Sequence, residues 1–364
     1  MPTTKTVQST LAFPAVRGFD YIEIFVGNMR HAEHYYRTVW GFQSVACQGT
    51  DAGLPDRTSI VMRQGNIVLV LTGAALASSS VAAHLHVHGE GVVTIGLAVD
   101  DVIGSYEAAV ARGAKAVSEP VMMRDDSGNV GRAEVEALNG FTYALVDRSD
   151  YRGSFLPGFR TIPSSRAPSP IFEDLDHAAI AVEAGTLDAW VEFYQQVFGF
   201  KIVHKEDVAT AKSGMNSQVV QHPLGACKFP LVEPALGKSK SQVQTFLDFH
   251  KGPGVQHLAI RTPDIIDTVA RLRDNGVEFL GIPRAYYDQL ESRVGSLGKE
   301  FADLKDLGIL VDHDEWGRIL QIFARSCQDR QTLFFEIIER RGGRGFGGGN
   351  IRALFEAMER EQAS

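Results

Sequence analysis

The 364 residues carry 36 Lys+Arg against 44 Asp+Glu, a net charge of −8, with 44% hydrophobic and 22% charged residues, an ordinary globular composition long enough for two cores. No basic block of five or more occurs, which argues against nucleic acid or an anionic membrane as partner, and the longest apolar run, 67–77, is far short of the ~20 residues that span a bilayer. Cys47, Cys227 and Cys327 are widely spaced without CxxC partners, and MPTTKTVQST has no apolar leader; neither a disulfide framework nor a zinc–thiolate site is expected, and a reducing cytoplasm is the expected compartment.

Along the chain, Phe19-Asp20-Tyr21-Ile22-Glu23-Ile24 reads as a strand. A helix-period stretch follows from Tyr35 to Trp40-Gly41-Phe42, then strands over Ile60–Met62 and Ile67–Thr72. His84, His86 and His88 alternate before Gly89 and are expected to form a solvated surface cluster rather than a second metal site. Gly89 to Ile95 leads into a helix, Ser105–Arg112, closed by Gly113. Residues 157–170 hold four of the chain's 14 prolines and form a linker, because proline lacks the backbone donor and fixes φ. It separates 1–156 from 171–364.

The second half repeats the first. Leu175-Asp176-His177-Ala178-Ala179-Ile180 lines up with 19–24, Trp190 to Phe198-Gly199-Phe200 with 35–42, and Gly252 to Leu258 with Gly89 to Ile95; Ile266–Asn275 before Gly276 repeats the closed helix. Strands are expected at Val219–Val220, Ile319–Phe323 and Thr332–Glu339. The pattern is α+β: four βαβββ modules, two per half, each pair curling into a half-barrel that buries its concave face. After the glycine-rich segment 341–350, Ile351–Gln362 has helical apolar spacing with Asn350 as its N-cap.

His177 and His257 stand where the first half has Tyr21 and Thr94. Glu336 lies in the apolar run 333–338, where a lone buried carboxylate would be costly. Period two puts Glu336 on one face and Glu339 on the other, so periodicity does not choose between them. Two histidines and one carboxylate make a facial triad that leaves positions open on iron(II) for a chelating substrate and O2.

Together, Leu175-Asp176-His177, Gly254-Val255-Gln256-His257-Leu258-Ala259, Leu320-Gln321-Ile322-Phe323, Phe334-Phe335-Glu336-Ile337-Ile338-Glu339-Arg340 and Gly345-Phe346-Gly347-Gly348-Gly349-Asn350 resemble the 4-hydroxyphenylpyruvate dioxygenase family, which includes 4-hydroxymandelate synthase. The resemblance spans essentially the whole chain. It implies tandem vicinal-oxygen-chelate modules, a homodimer, and an Fe(II) site at His177, His257 and Glu336. It implies a small arylpyruvate as substrate, carrying its own keto acid, with O2 as co-substrate. Gln256, Gln321 and Ser217 match pocket residues near the metal; Pro230, Val232, Phe323, Phe334, Phe346, Asn350, Ile351 and Leu354 match the substrate wall and lid. Hydroxylation of the ring with side-chain migration would give homogentisate; hydroxylation of the benzylic carbon would give 4-hydroxymandelate. Val232 and Ile351 replace an asparagine and a phenylalanine of the homogentisate-forming pattern and favour the mandelate product. Pro230, the glycines at 347–349 and the segment Lys238-Ser239-Lys240-Ser241-Gln242 follow the homogentisate pattern, which stays open as the alternative.

Other signals are set aside. Gly345-x-Gly347 lacks the third glycine and the downstream acid of a dinucleotide loop. Asp312-His313-Asp314-Glu315 reads as turn chemistry, Glu339-Arg340-Arg341 as a solvated strand end, and Cys227 as a core residue. Metal-free binding proteins built on the same modules are the competing functional class, and the first half, with Tyr21 and Thr94 at the matched places, already fits that description.

Overall fold

The computed structural model describes residues 12–50, 55–137, 141–163, 169–209, 213–225, 227–235 and 240–353. Two curled mixed sheets carry the fold. The first runs, in spatial order, Lys115–Asp125, Gly128–Glu136, Thr142–Asp147, Gly91–Val99, Val16–Phe25, Ile67–Ala74, Arg57–Gln64, Gln43–Gln48 and the two-residue strand Arg160–Thr161. The second runs Lys201–Ala209, Gly214–Gln221, Lys228–Pro234, Asp174–Ala181, Gly254–Arg261, Phe334–Arg341, Arg318–Phe323 and Leu310–His313. Read from opposite ends, the orders match. Each sheet centres on one antiparallel pair, Val16–Phe25 with Gly91–Val99 and Asp174–Ala181 with Gly254–Arg261, flanked on both sides by parallel neighbours. This is the βαβββ duplication expected from the sequence.

The registers give the equivalence residue by residue. Tyr21 faces Gly96 as His177 faces Ala259, and Glu23 faces Thr94 as Ala179 faces His257. A bulge follows at the same place in both pairs, so Val93 and Gln256 are the unpaired extra residues.

Several helices begin at a side-chain cap that satisfies an orphan amide: Asn28 accepts from His31 N, and Asp101, Ser241 and Asp264 from Gly104, Gln244 and Asp267 N, whereas at Leu187–Phe198 the distant Glu233 accepts from Leu187 N instead. The halves share one core. Tyr143 of the first sheet packs edge-on against Tyr194, Phe198 and Phe229 of the second half, and Trp40 packs on Phe335. Buried aromatics of this kind contribute roughly 0.5–1.5 kcal/mol each beyond their area term. Three short helices, Arg284–Asp288, Leu290–Val294 and Phe301–Leu307, fill the connection to Leu310–His313 and have no counterpart in the sequence reading. Among the described residues no helix is long and apolar enough to cross a membrane.

Two expectations fail here. The histidines before Gly89 lie on a helix, Ser80–His88. Helical spacing puts His84 and His88 on one face, their rings tilted against each other at 4.5 Å, and His88 meets His250 of the second half at 5.1 Å. Only His86 of the three is exposed. The last strand is Phe334–Arg341 rather than Thr332–Glu339, because Thr332 is held in a turn, its hydroxyl donating to Glu90 O.

Burial pushes the pKa values of His84 and His250 down to about 4. The unfolded chain therefore takes up protons at these sites from about pH 6.5, while the folded chain does not until near 4. Stability present above pH 6.5 is lost through that window. The melting temperature is expected to fall between pH 6.5 and 4, and less steeply in a His84→Gln, His250→Gln double variant; equal slopes would refute this.

Candidate metal centre

The centre is built on three adjacent strands of the second sheet. His177 and Glu336 flank Ala259 from either side, and His257 lies two residues before Ala259 on the middle strand. A methyl group between the flanking positions lets both side chains converge. His177 Nε2 and His257 Nε2 lie 3.4 and 3.5 Å from Glu336 Oε2, and the three donor atoms fall within 4.8 Å of one another. That is close to the span required by a cation about 2.1 Å from each donor. Two imidazoles and one carboxylate on one side of a cavity suit a divalent transition metal with open positions. The register resolves what periodicity left open: Glu336 faces inward. Glu339 points the other way and accepts from Ile265 N at the start of the helix Ile265–Asp274.

The second nitrogens are held. His177 Nδ1 donates to Asp176 Oδ1 at 2.9 Å, which leaves Nε2 as a lone pair toward the site. Asp176 is itself gripped by Arg340 at 2.6 and 2.8 Å. Burial alone would raise the Asp176 carboxyl, but Arg340 and the His177 N–H hold it well below the usual range. Burial pulls the His177 pKa down, and the carboxylates of Glu336 and Asp176 outweigh it and keep it raised. His257 lacks such a carboxylate on Nδ1, which sits 3.3 Å from Gln256 Oε1, and burial takes it down to about 3, neutral and ready to ligate. Glu336 is held below its ordinary value despite burial, by both imidazoles and Gln321. An Asp176→Asn variant is expected to bind metal about 10–100-fold more weakly, read by competition with a chelator; unchanged affinity would contradict the orienting role.

A relay runs outward from the carboxylate. Gln321 Nε2 donates to Glu336 Oε1 (2.8 Å), Asn350 Nδ2 to Gln321 Oε1 (2.8 Å), and Tyr286 OH to Asn350 Oδ1 (2.9 Å). Around the triad, a cavity of about 50 Å³ is lined by Ser217, Pro230, Val232, Gln256, Gln321, Phe323, Phe346 and Ile351. Phe334 stacks on His257 at 4.9 Å. The bulge at 256 is what lets Gln256 and His257 both face the cavity. Met215, Val219, His204 and Gln242 also line it. The strand alternation 215/217/219 could have nominated Met215 and Val219, and the inward row 204/206 His204; Gln242 sits at a helix start with no such period.

A strap over 342–347 closes the cavity. Asp314 accepts from Arg344 N and Gly345 N at 2.7 Å, and Arg340 Nη1 donates to Gly345 O at 2.8 Å. Phe346 is laid edge-on against His177 at 5.4 Å. Gly347 has φ +68°, and a Cβ there would lie 2.7 Å from Gln321 Oε1, so glycine is required. The remaining volume holds a few waters; a ring-bearing substrate enters only if the strap and the helix behind it give way.

Three more expectations change. Asn350 is not an N-cap: the helix is already formed at 348, and Asp312 from a distant strand accepts from Gly349 N at 2.8 Å. The Asn350 amide is spent on Gln321 and Tyr286. Arg340 and Arg341 are not a solvated strand end, since both are committed to buried carboxylates, Asp176 and Glu339. Asp312 and Asp314 do more than make a turn: Asp314 pins the strap and Asp312 caps the helix that follows it. Leu354 and the helix beyond 353 lie outside the described residues, as do Lys238 and Ser239. Cys227 is buried, its thiol pushed up by desolvation, as a core residue should be.

The Glyoxalase/Bleomycin resistance protein/Dioxygenase superfamily profile matches residues 18–130 and 174–306. The chain is 36% identical over 379 residues to a 4-hydroxyphenylpyruvate dioxygenase of Yarrowia lipolytica, covering 100% of this chain and 96% of that one. It is 37% identical over 361 residues to a 4-hydroxyphenylpyruvate dioxygenase of Dictyostelium discoideum, covering 95% and 98%. Among solved structures, a triple mutant of 4-hydroxymandelate synthase from Streptomyces coelicolor superimposes with a TM-score of 0.89 at 34% identity, covering 96% of this chain and 100% of that one.

Proposed function

Because the chain belongs to the 4-hydroxyphenylpyruvate dioxygenase family, a dioxygenase branch of that superfamily, we propose that it holds iron(II) at His177, His257 and Glu336. There it converts 4-hydroxyphenylpyruvate and O2 to 4-hydroxymandelate and CO2. The metal, when bound, would supply the Lewis acidity and redox chemistry that a keto acid and O2 require. Everything else is done by the chain. Asp176 fixes the His177 tautomer. Gln321 occupies one oxygen of Glu336 and leaves the other to the metal. Gln256, steadied by its 2.9 Å bond to Gln242 Oε1, offers an amide to a substrate oxygen without adding charge. Phe346 and the strap exclude water.

The product assignment is carried by one observation: Val232 and Ile351 line the cavity together, in an apolar patch with Ala181, Val208, Met215 and Phe246. Val232 offers no group to hold a phenol oxygen, and Ile351 offers no ring to clamp the substrate ring. The ring is left free to shift and present its benzylic carbon. Homogentisate is the second reading, favoured by the 36–37% identity to proteins named as dioxygenases. The test is an anaerobically iron-loaded sample given 4-hydroxyphenylpyruvate and air. Products are separated chromatographically against both standards, since the two are isomers. Mainly mandelate supports the proposal, mainly homogentisate replaces it with the second reading, and neither product means a different keto acid.

The proposal assigns 171–364 as the catalytic domain, 1–156 as its metal-free partner and 157–170 as the linker. It places the enzyme in the cytoplasm as a homodimer, to be checked by fractionation and sedimentation.

A further inference from the structure

The first sheet has a cavity at the places equivalent to the three donors of the second. Tyr21, Thr94 and Ala144 occupy the places of His177, His257 and Glu336. A sheet that served only as scaffold would fill that space with apolar side chains. Instead a cavity of about 730 Å³ remains, within the range of small-molecule sites. Its floor carries Glu23, at the place Ala179 takes in the other half. Glu23 Oε1 accepts from Thr72 Oγ1 at 2.7 Å and Oε2 from Thr94 Oγ1 at 3.2 Å.

The charges of this cavity do not cancel. Arg132 is paired with Glu134 and also donates to Tyr21 OH; Arg57 is paired with Asp56 at 3.0 Å; Glu136 is paired with Lys115. Each of these cations has a carboxylate of its own. Among the described residues, Glu23 has only neutral hydroxyls within hydrogen-bond reach, with Arg132 and Arg57 as more distant favourable charges. Burial raises its carboxyl pKa, as it does for a carboxylate lacking a close counter-ion. A half-buried carboxylate lining a cavity in this state favours a cation beside it. The walls above it are aromatic: Phe25, Phe141, Phe155 and Phe159, with Tyr21 edge-on to Phe155 at 5.3 Å. Rings beside an unpaired carboxylate attract an ammonium by cation–π contact and an aromatic body by stacking.

We propose that the first-half cavity is a binding site for a small aromatic amine, its ammonium on Glu23 and its ring among Phe25, Phe141, Phe155 and Phe159. Arylpyruvate anions are excluded, since the surplus charge is negative. The site is independent of the metal centre.

The test titrates 2-phenylethylammonium into the full-length, metal-free protein by calorimetry, with 2-phenylethanol as the uncharged probe of like shape. Saturable one-to-one binding of the amine, roughly tenfold or more tighter than the alcohol, is expected. Glu23→Gln should abolish that preference, and His257→Ala should leave it unchanged. The two-probe comparison on the unaltered chain decides the matter even if Glu23→Gln does not fold. No saturable binding, equal binding of the two probes, or loss of binding in His257→Ala rather than Glu23→Gln would each overturn the proposal.

Discussion

A His257→Ala variant is expected to lose the metal and, with it, turnover. His257 is one of the three proposed donors, and its neutral imidazole is ready to ligate because burial suppresses protonation down to about pH 3. Alanine leaves two donors and an opening beneath Phe334, which stacks on the imidazole at 4.9 Å. The loss of metal affinity should exceed the roughly 10–100-fold cost of disturbing an outer partner such as Asp176. Iron retained after anaerobic loading and desalting, with oxygen uptake on 4-hydroxyphenylpyruvate, measures both. Stoichiometric iron together with undiminished uptake in the variant would remove His257 from the centre.

The second large effect concerns the product. In a Val232→Asn, Ile351→Phe double variant, a hydrogen-bonding amide and an aromatic face enter the apolar end of the cavity. A neutral hydrogen bond contributes about 0.5–1.5 kcal/mol and an aromatic contact about the same. Their sum, roughly 1–3 kcal/mol, corresponds to a product ratio shifted some 5–150-fold toward homogentisate. Without substrate the buried asparagine lacks a partner, so the variant should melt at lower temperature and recover on binding a keto acid. A ratio that stays where the parent enzyme has it would show that these side chains do not set the outcome.

The duplication explains why so much of the centre was legible. With Tyr21 and Thr94 at matched places, the first half acts as an internal reference, and two imidazoles stand out against it. What escaped was non-local. Both faces of the strand Phe334–Arg341 are covered, so alternation could not separate Glu336 from Glu339. The cap at Gly349 comes from Asp312, 37 residues away in the chain. Tyr286 reaches the site from an inserted helix without a repeat partner. His84, His86 and His88 alternate in sequence, and only the helical turn, with His250 from the other half, makes two of them half-buried.

The grip of Arg340 on Asp176 has a twin. Asp20 and Arg148, at matching places in the first sheet, form the same two-pronged pair at 2.8–3.0 Å, with no imidazole beside it. The pair therefore belongs to the module, where it locks a second bulge, at Asp20 and Asp176, and in the second half it also orients His177. The first half thus retains the outer support of a metal centre without its donors. Tyr21→His, Thr94→His and Ala144→Glu would supply them, with Asp20 already waiting behind the first. The chain carries, in its first half, the foundation for a second centre three substitutions away.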